Sequence, residues 1–223
     1  MNKSIVFKSL NKIGIALTAL TAIGFATTNS VSAASVTTLL QDDFNQENNG
    51  VGTLNYNQFA NFNVKNGSVD LIGNTLFNFL PGNGLYVDLD GSTGKAGTLE
   101  SKTTFNFQAG DLVNLSFKLA GNQRNDGIES VAVSLGSLFN ETFSLPKLQG
   151  FTTISRSFTV ASATNATLKF VEAGGDNVGL LLDNVNLTKS VPEPGSIMGL
   201  LAFGAFGATS LCKRKQQQSA TNA

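Results

Sequence analysis

Carboxylates, hydroxyls and amides are the side chains with which this chain can do chemistry. Histidine and tryptophan are absent from its 223 residues, and the single cysteine is Cys212. Nucleophile pairs of the Ser-His-Asp or Cys-His type, a histidine-ligated zinc site and an intrachain disulfide are therefore excluded. No tryptophan is available to stack on a sugar ring either. A functional site in this chain must therefore be built mainly from acidic, hydroxyl and amide groups.

Asp183 is the most informative carboxylate. It lies in an alternating segment where Leu181, Val185 and Leu187 are expected to share its face of a strand. That face should be the buried one, so the charge of Asp183 needs a partner. The alternative is that Asp183 caps a bend or accepts hydrogen bonds from nearby backbone groups.

A second acidic run, Asp88-Leu89-Asp90-Gly91-Ser92, invites comparison with an EF-hand calcium loop. Such a loop needs glutamate at its twelfth position, and that position is Leu99. We therefore predict a solvated turn at a strand end. Asp88 and Asp90 also lack the facing geometry of a glycoside hydrolase pair, because they are neighbours at i and i+2 of one strand. The chain is predicted not to be an enzyme.

A polar loop is the candidate sugar site. Asn122, Gln123 and Arg124 carry directional donors and acceptors that suit hydroxyl groups. Further side chains expected to be exposed for such a site are Tyr56, Tyr86 and Asp126. The alternative is that residues 122–124 form an ordinary soluble loop.

The charges are divided unevenly along the chain. Six of the fifteen basic residues lie in the two end segments, which leaves nine basic against fourteen acidic residues in the middle. The middle is therefore acidic and has no basic patch to neutralise phosphates. We predict no nucleic-acid partner.

The middle of the chain, residues 34–190, is predicted to be an all-β domain. Its segments are short, rich in Val, Thr, Phe and Leu, and separated by Gly, Asn and Asp clusters such as 174–177. About ten strands are expected, at 61–64, 69–72, 84–88, 97–107, 113–119, 131–135, 141–145, 153–160, 166–171 and 179–188. This spacing favours an antiparallel β-sandwich, specifically a jelly roll.

The N-terminal residues 1–33 are predicted to be a signal peptide. Basic residues at Lys3, Lys8 and Lys12 precede an apolar stretch at 13–26, and small residues end at Ala33. Cleavage by signal peptidase is expected after Ala33. The alternative is an N-terminal membrane anchor, although the apolar stretch is short for a bilayer.

The C-terminal residues 191–223 form a second targeting segment. Val191, Pro192, Glu193 and Pro194 end the last strand, since proline cannot donate to a ladder. An uncharged stretch at 195–212 is just long enough for a transmembrane helix. The basic residues that would hold its end on the cytoplasmic side are Lys213, Arg214 and Lys215.

This C-terminal order of Pro-Glu-Pro, apolar span and basic group resembles the PEP-CTERM sorting signal. The resemblance implies recognition by an exosortase, a membrane enzyme that cuts near Pro-Glu-Pro and releases or transfers the domain to the envelope. The alternative is a permanent membrane anchor.

The middle domain also resembles the jelly rolls of PEP-CTERM proteins and, more distantly, carbohydrate-binding modules. The stretches that carry this resemblance are 41–44, 66–70 and 182–187. Related modules hold a structural calcium ion between the first and last strands, which implies Asp42 or Asp43 together with Asp183 as ligands. Calcium suits these oxygen donors.

Together these features predict an exported cell-envelope or extracellular-matrix protein, sorted through its tail, with a structural or adhesive domain. The alternative is a carbohydrate-binding module that recognises extracellular polysaccharide.

Overall fold

The computed structural model describes residues 35–124 and 127–191. These residues form strands and one short 3-10 helix, Glu47–Gly50. In chain order the strands are β1 Val36–Asp42, β2 Phe62–Lys65, β3 Asp70–Gly73, β4 Leu85–Asp88, β5 Thr98–Ser101, β6 Phe105–Phe107, β7 Leu112–Ala120, β8 Ile128–Leu135, β9 Phe139–Pro146, β10 Thr152–Thr159, β11 Thr164–Ala166, β12 Leu168–Glu172 and β13 Leu181–Ser190. The all-β prediction is confirmed. The predicted signal peptide and C-terminal helix lie outside the described residues.

The strands pair in a nested antiparallel order, as in one long hairpin that is folded over on itself. β8 pairs with β9, β7 with β10, β6 with β11, β5 with β12 and β4 with β13, all antiparallel. Each pair is therefore symmetric about the turn between β8 and β9. This nested pairing defines a jelly roll, and it confirms the predicted topology.

Two sheets result from this winding. One has the order β10-β7-β13-β4-β3, with β1 also paired to β13, and the other has the order β2-β5-β12-β8-β9. The short strands β6 and β11 form a separate pair. The last strand, β13, is thus central in the first sheet, with β7 on one side and β1 and β4 on the other.

Phenylalanine fills much of the core between the two sheets. Along β7 the buried side chains alternate with partly exposed ones, as the sequence predicts. Phe117 of β7 is fully buried and meets Phe143 and Phe170 edge-on, with ring centroids 5.5 and 5.4 Å apart. Because each fully buried ring contributes roughly 2 kcal/mol or more, such rings supply the apolar volume that tryptophan would otherwise give.

A bulge in β13 overturns one prediction about its faces. The pairing of β13 with β7 shifts register between Asp183 and Asn186, and Asn184 has a φ of 50°. Leu182 and Val185 both reach the core between the sheets, whereas Leu181 belongs to a separate apolar cluster. The expectation that Leu181, Asp183, Val185 and Leu187 share one face is therefore wrong, because the extra residue reverses the alternation.

Other differences from the predicted strands are local. Strand β1 was not predicted, because its exposed Thr-rich start has no apolar alternation. The segment predicted as one strand at 97–107 is two strands, β5 and β6, that pair in different sheets.

The separate apolar cluster covers the outer face of the first sheet. Ile72, Tyr86 and Leu181 are buried beneath Leu76, Phe79, Leu80 and Phe151. The hydroxyl of Tyr86 accepts a hydrogen bond from the Leu80 N–H at 3.1 Å and donates to the Phe77 carbonyl at 3.3 Å. The prediction that Tyr86 is exposed is therefore wrong, since a loop closes over its ring.

A charged group stabilises the outer face of the second sheet. Glu100 of β5 pairs with Lys65 of β2 at 2.5 Å and with Lys169 of β12 at 3.5 Å. The hydrogen bond from Lys65 holds the pKa of Glu100 below its usual value, and Lys169 acts in the same direction. Both lysines are about half exposed, so we expect this group to contribute modestly to stability.

Candidate functional site

The three carboxylates predicted to hold calcium lie around the ends of the first and last strands. Asp42 and Asp43 line a pocket of about 270 Å³ together with Asn184, Asn186 and Lys118. Asp183 sits beside this pocket, paired with Lys118 across the ladder between β13 and β7. Burial raises the pKa of Asp183 to about 6, and the charges of Asp43 and Asp42 add to that rise.

Local hydrogen bonds already occupy much of this carboxylate surface. Asp183 accepts bonds from the backbone N–H of Asn184 at 2.7 Å and from its side-chain amide at 3.0 Å. Asp42 accepts from the Phe44 N–H at 2.9 Å and from the Asn61 amide at 3.0 Å. These contacts match the alternative in which Asp183 binds nearby backbone groups.

One oxygen in this pocket is without a partner, and sequence reasoning missed it. Asn186 Oδ1 is buried and accepts no hydrogen bond. An unpartnered amide oxygen beside carboxylates fits a hard cation. Against this, Lys118 already supplies a positive charge, and no three acidic groups in the described part of the chain converge as a metal cluster. The calcium ion stays a prediction.

The polar loop at 122–124 directs its groups into the protein. Gln123 Nε2 donates to the carbonyls of Gly121, Lys147 and Gln149, at 3.0, 3.3 and 2.7 Å. Asn122 is buried, and its Oδ1 accepts the Arg124 N–H at 2.8 Å. These bonds fix the loop in one conformation. Its role in ligand binding stays a prediction.

Arg124 connects this loop to a buried acid. Its guanidinium is ion-paired with Asp88 Oδ2 and donates to the Asn177 carbonyl at 2.7 Å. The same guanidinium lies over the ring of Phe79, 5.3 Å from its centroid. Burial raises the pKa of Asp88 to about 7, although the charge of Arg124 acts in the opposite direction.

Asp88, Asp90 and Glu172, which we call the acidic trio, are all buried. Their side chains come from different sheets, since β4 ends at Asp88 and β12 ends at Glu172. Asp88 is 2% exposed and Asp90 is 0% exposed, so the predicted solvated turn is wrong. Burial raises the pKa of Glu172 to about 9, and the charges of Glu129, Asp88 and Asp90 raise it further.

Aromatic side chains beside the 122–124 loop form an exposed platform. Phe77 is 54% exposed and stacks on Phe79, with ring centroids 5.9 Å apart and an interplanar angle of 12°. Arg124 lies on the Phe79 ring, so the platform and the polar loop are adjacent. Tyr56 is elsewhere, half-buried, with its hydroxyl bonded to Glu47 at 3.2 Å.

The fold and these sites define an antiparallel jelly-roll domain. Within residues 35–124 and 127–191, no helix has the length and apolarity needed to cross a membrane. The helix predicted at the C-terminus lies outside that range.

The chain carries a PEP-CTERM protein-sorting motif. A family model of this description matches residues 190–215, which include the predicted Pro-Glu-Pro, apolar stretch and basic group. The motif implies export and association with the cell envelope. The resemblance drawn from Val191, Pro192, Glu193 and Pro194 is therefore confirmed.

No curated protein matches the chain. Among solved structures, it is similar to the CBM22-1 xylan-binding domain of Xyn10C from Paenibacillus barcinonensis, at 10% identity and a TM-score of 0.40, over 73% of this chain and 100% of that one. It is also similar to the CBM22-1-GH10 modules of xylanase 10B from Clostridium thermocellum, at 17% identity and a TM-score of 0.41, over 68% of this chain and 28% of that one. For an exo-β-1,3-galactanase from Phanerochaete chrysosporium the identity is 16% and the TM-score 0.36, over 71% of this chain and 30% of that one. The chain thus spans less than a third of the galactanase.

Proposed function

We propose that this protein is an exported component of the cell envelope or extracellular matrix, with a structural or adhesive domain and no catalytic role. The observation that carries the proposal is the position of the sorting motif. Strand β13 ends at Ser190 and the motif begins at residue 190, so the tail leaves directly from a central strand without a linker. The domain is therefore the cargo that the tail delivers.

The processing steps complete the proposal. Signal peptidase removes residues 1–33, the hydrophobic segment at 195–212 holds the precursor in the membrane, and an exosortase cuts near Pro-Glu-Pro. The basic group at 213–215 retains the segment on the cytoplasmic side until the cut.

The first experiment is mass spectrometry of the protein from envelope and medium of the producing cell. We expect a mature form from about Ala34 to the region of Pro-Glu-Pro, because the tail is the substrate of the exosortase. Replacing Pro192, Glu193 and Pro194 together with alanine should leave the tail attached, as should deletion of the exosortase. Pro81→Ala, in an exposed loop, is the matched control and should be processed normally. An intact C-terminus through Ala223 in every strain would contradict the proposal.

A specific observation supports polysaccharide binding as the alternative function. The exposed Phe77 ring stacks on Phe79 beside Arg124, and an aromatic face next to hydrogen-bonding groups is suited to a sugar ring. The polar pocket at Asp42 and Asp43 carries no aromatic ring, so the platform is the better position.

Binding of the cell's own matrix polysaccharide tests this alternative. If the platform binds sugar, Phe77→Ala should weaken binding roughly tenfold, because a stacking contact is lost. Val36→Ala, which shortens another exposed apolar side chain, should leave binding unchanged. Affinity electrophoresis in gels containing the polysaccharide provides the measurement. Equal retardation of both variants and the parent would favour the structural role.

A further inference from the structure

Buried carboxylates hold one backbone segment from several directions. The five consecutive N–H groups of residues 176–180 all donate to carboxylate oxygens, at 3.0 to 3.4 Å. Asp90 Oδ2 accepts two of them, Asp88 Oδ1 accepts that of Gly179, and Glu172 Oε1 accepts that of Leu180. All three members of the acidic trio therefore accept hydrogen bonds from one short segment, residues 176–180.

The backbone at Gly174 and Gly179 lies very close to the carboxylates of the trio. A Cβ on Gly174 would lie 2.4 Å from Asp90 Oδ2, and a Cβ on Gly179 would lie 2.7 Å from Asp88 Oδ1. Only glycine allows such an approach at these two positions. The carboxylates are therefore sealed under the segment at 174–180 instead of facing solvent.

Two carboxylate oxygens in this sealed region have no partner. Asp90 Oδ1 and Glu172 Oε2 are buried and take part in no hydrogen bond. Asp90 is 0% exposed and Glu172 is 5% exposed, so both groups lie beneath the surface. A buried carboxylate oxygen without a donor is strongly unfavourable, so such a group either takes up a proton or binds a cation.

Cations are also scarce around the acidic trio. The acidic trio carries three carboxylates, and Glu129 adds its field to that at Glu172. In the part of the chain that the structure describes, Arg124 is the one cation with an ion pair to the trio. One guanidinium thus serves three buried carboxyl groups, and among the described residues neither Asp90 nor Glu172 has an ion-pair partner.

We propose that a calcium ion binds between Asp90 Oδ1 and Glu172 Oε2. Calcium takes six to eight oxygen ligands in flexible geometry, so two carboxylates are completed by backbone carbonyls and water. Such a site does not need three converging acidic groups. The ion would join the end of β12 to the second residue after β4 and fix the segment at 174–180. This site is separate from the one predicted beside Asp183.

Calcium titration of the full chain, stripped of metal with a chelator, tests the proposal. Saturating calcium should raise the thermal unfolding midpoint of the parent by roughly 5 °C, because the ion binds only the folded state. Glu172→Gln and Asp90→Asn should each lose that rise. In chelator both variants should unfold at or above the midpoint of the parent, because the repulsion between buried carboxylates is relieved.

Two controls make the outcome specific. Glu100→Gln removes an acid of β5 that pairs with lysines, and it should keep the calcium response. Asp183→Asn should also keep the calcium-dependent rise in the unfolding midpoint. If calcium binds beside Asp183 as well, calorimetry should count one bound ion fewer for this variant than for the parent. The proposal is overturned if the parent does not respond to calcium, if the trio variants respond fully, or if Asp183→Asn abolishes all binding. None of these outcomes depends on how the tail is processed.

Discussion

Replacing Arg124 with methionine should lower the free energy of unfolding by about 3 kcal/mol, because it leaves a buried carboxylate without its cation. The side chain of Asp88 is 3% exposed, and Arg124 is its ion-pair partner. Methionine keeps the apolar contact with Phe79 while removing the charge and the bond to the Asn177 carbonyl. Urea unfolding followed by circular dichroism gives the free energy of unfolding.

A double-mutant cycle separates the ion pair from packing. Asp88→Asn combined with Arg124→Met should cost less than Arg124→Met alone, because no unpaired charge then remains buried. The ion pair would have no coupling energy if the losses in the free energy of unfolding of the two single variants add up to that of the double variant. A loss of less than about 1 kcal/mol for Arg124→Met would also contradict the prediction.

Replacing Phe117 with alanine should cost about 3–5 kcal/mol, the usual range for deleting a fully buried ring. Phe117 lies at 0% exposure between the two sheets and contacts the rings of Phe143 and Phe170. Strand β7 itself is held by ladders to β10 and β13 on its two sides, so it cannot move far into the space that the ring leaves. Thermal and urea unfolding should both report the loss.

The matched control is the same substitution at Phe77, whose ring is 54% exposed. Phe77→Ala should change the free energy of unfolding by less than about 1 kcal/mol, because little apolar surface is returned to water. Equal losses at Phe77 and Phe117 would mean that the inter-sheet core does not dominate the stability of this domain.

The strands that could be predicted from the sequence are those in which one buried face imposes an alternation of apolar and polar residues. Strands β7 and β8 are such cases, because each packs one side on the core. The β13 bulge could not be predicted, since the extra residue at Asn184 changes the parity of every later side chain. Strand β1 was missed for a related reason, because it is stabilised by pairing with β13 and not by its own apolar pattern.

The environment of the candidate site residues could be predicted even less well from the sequence than the strands. The Asp88 and Asp90 run was interpreted from its local spacing, which is typical of a turn. Its actual environment comes from residues far along the chain, including Gly179 and Asn177, whose N–H groups are 91 and 87 positions from their carboxylate acceptors. Sequence reasoning found the acidic residues, but their burial depends on a loop folding over them, and a local pattern carries no information about that closure.

The pairing of Val36 with Ser190 fixes how the domain is displayed. These residues are opposite each other in the β1–β13 ladder, so the chain enters and leaves the jelly roll at the same pole. Strand β13 then runs ten residues, about 30 Å, to Leu181, which is paired with Asp88. In a domain tethered through its tail, that pole would therefore lie nearest the envelope, and the end of the domain that contains the buried acidic trio and Arg124 would lie farthest from it.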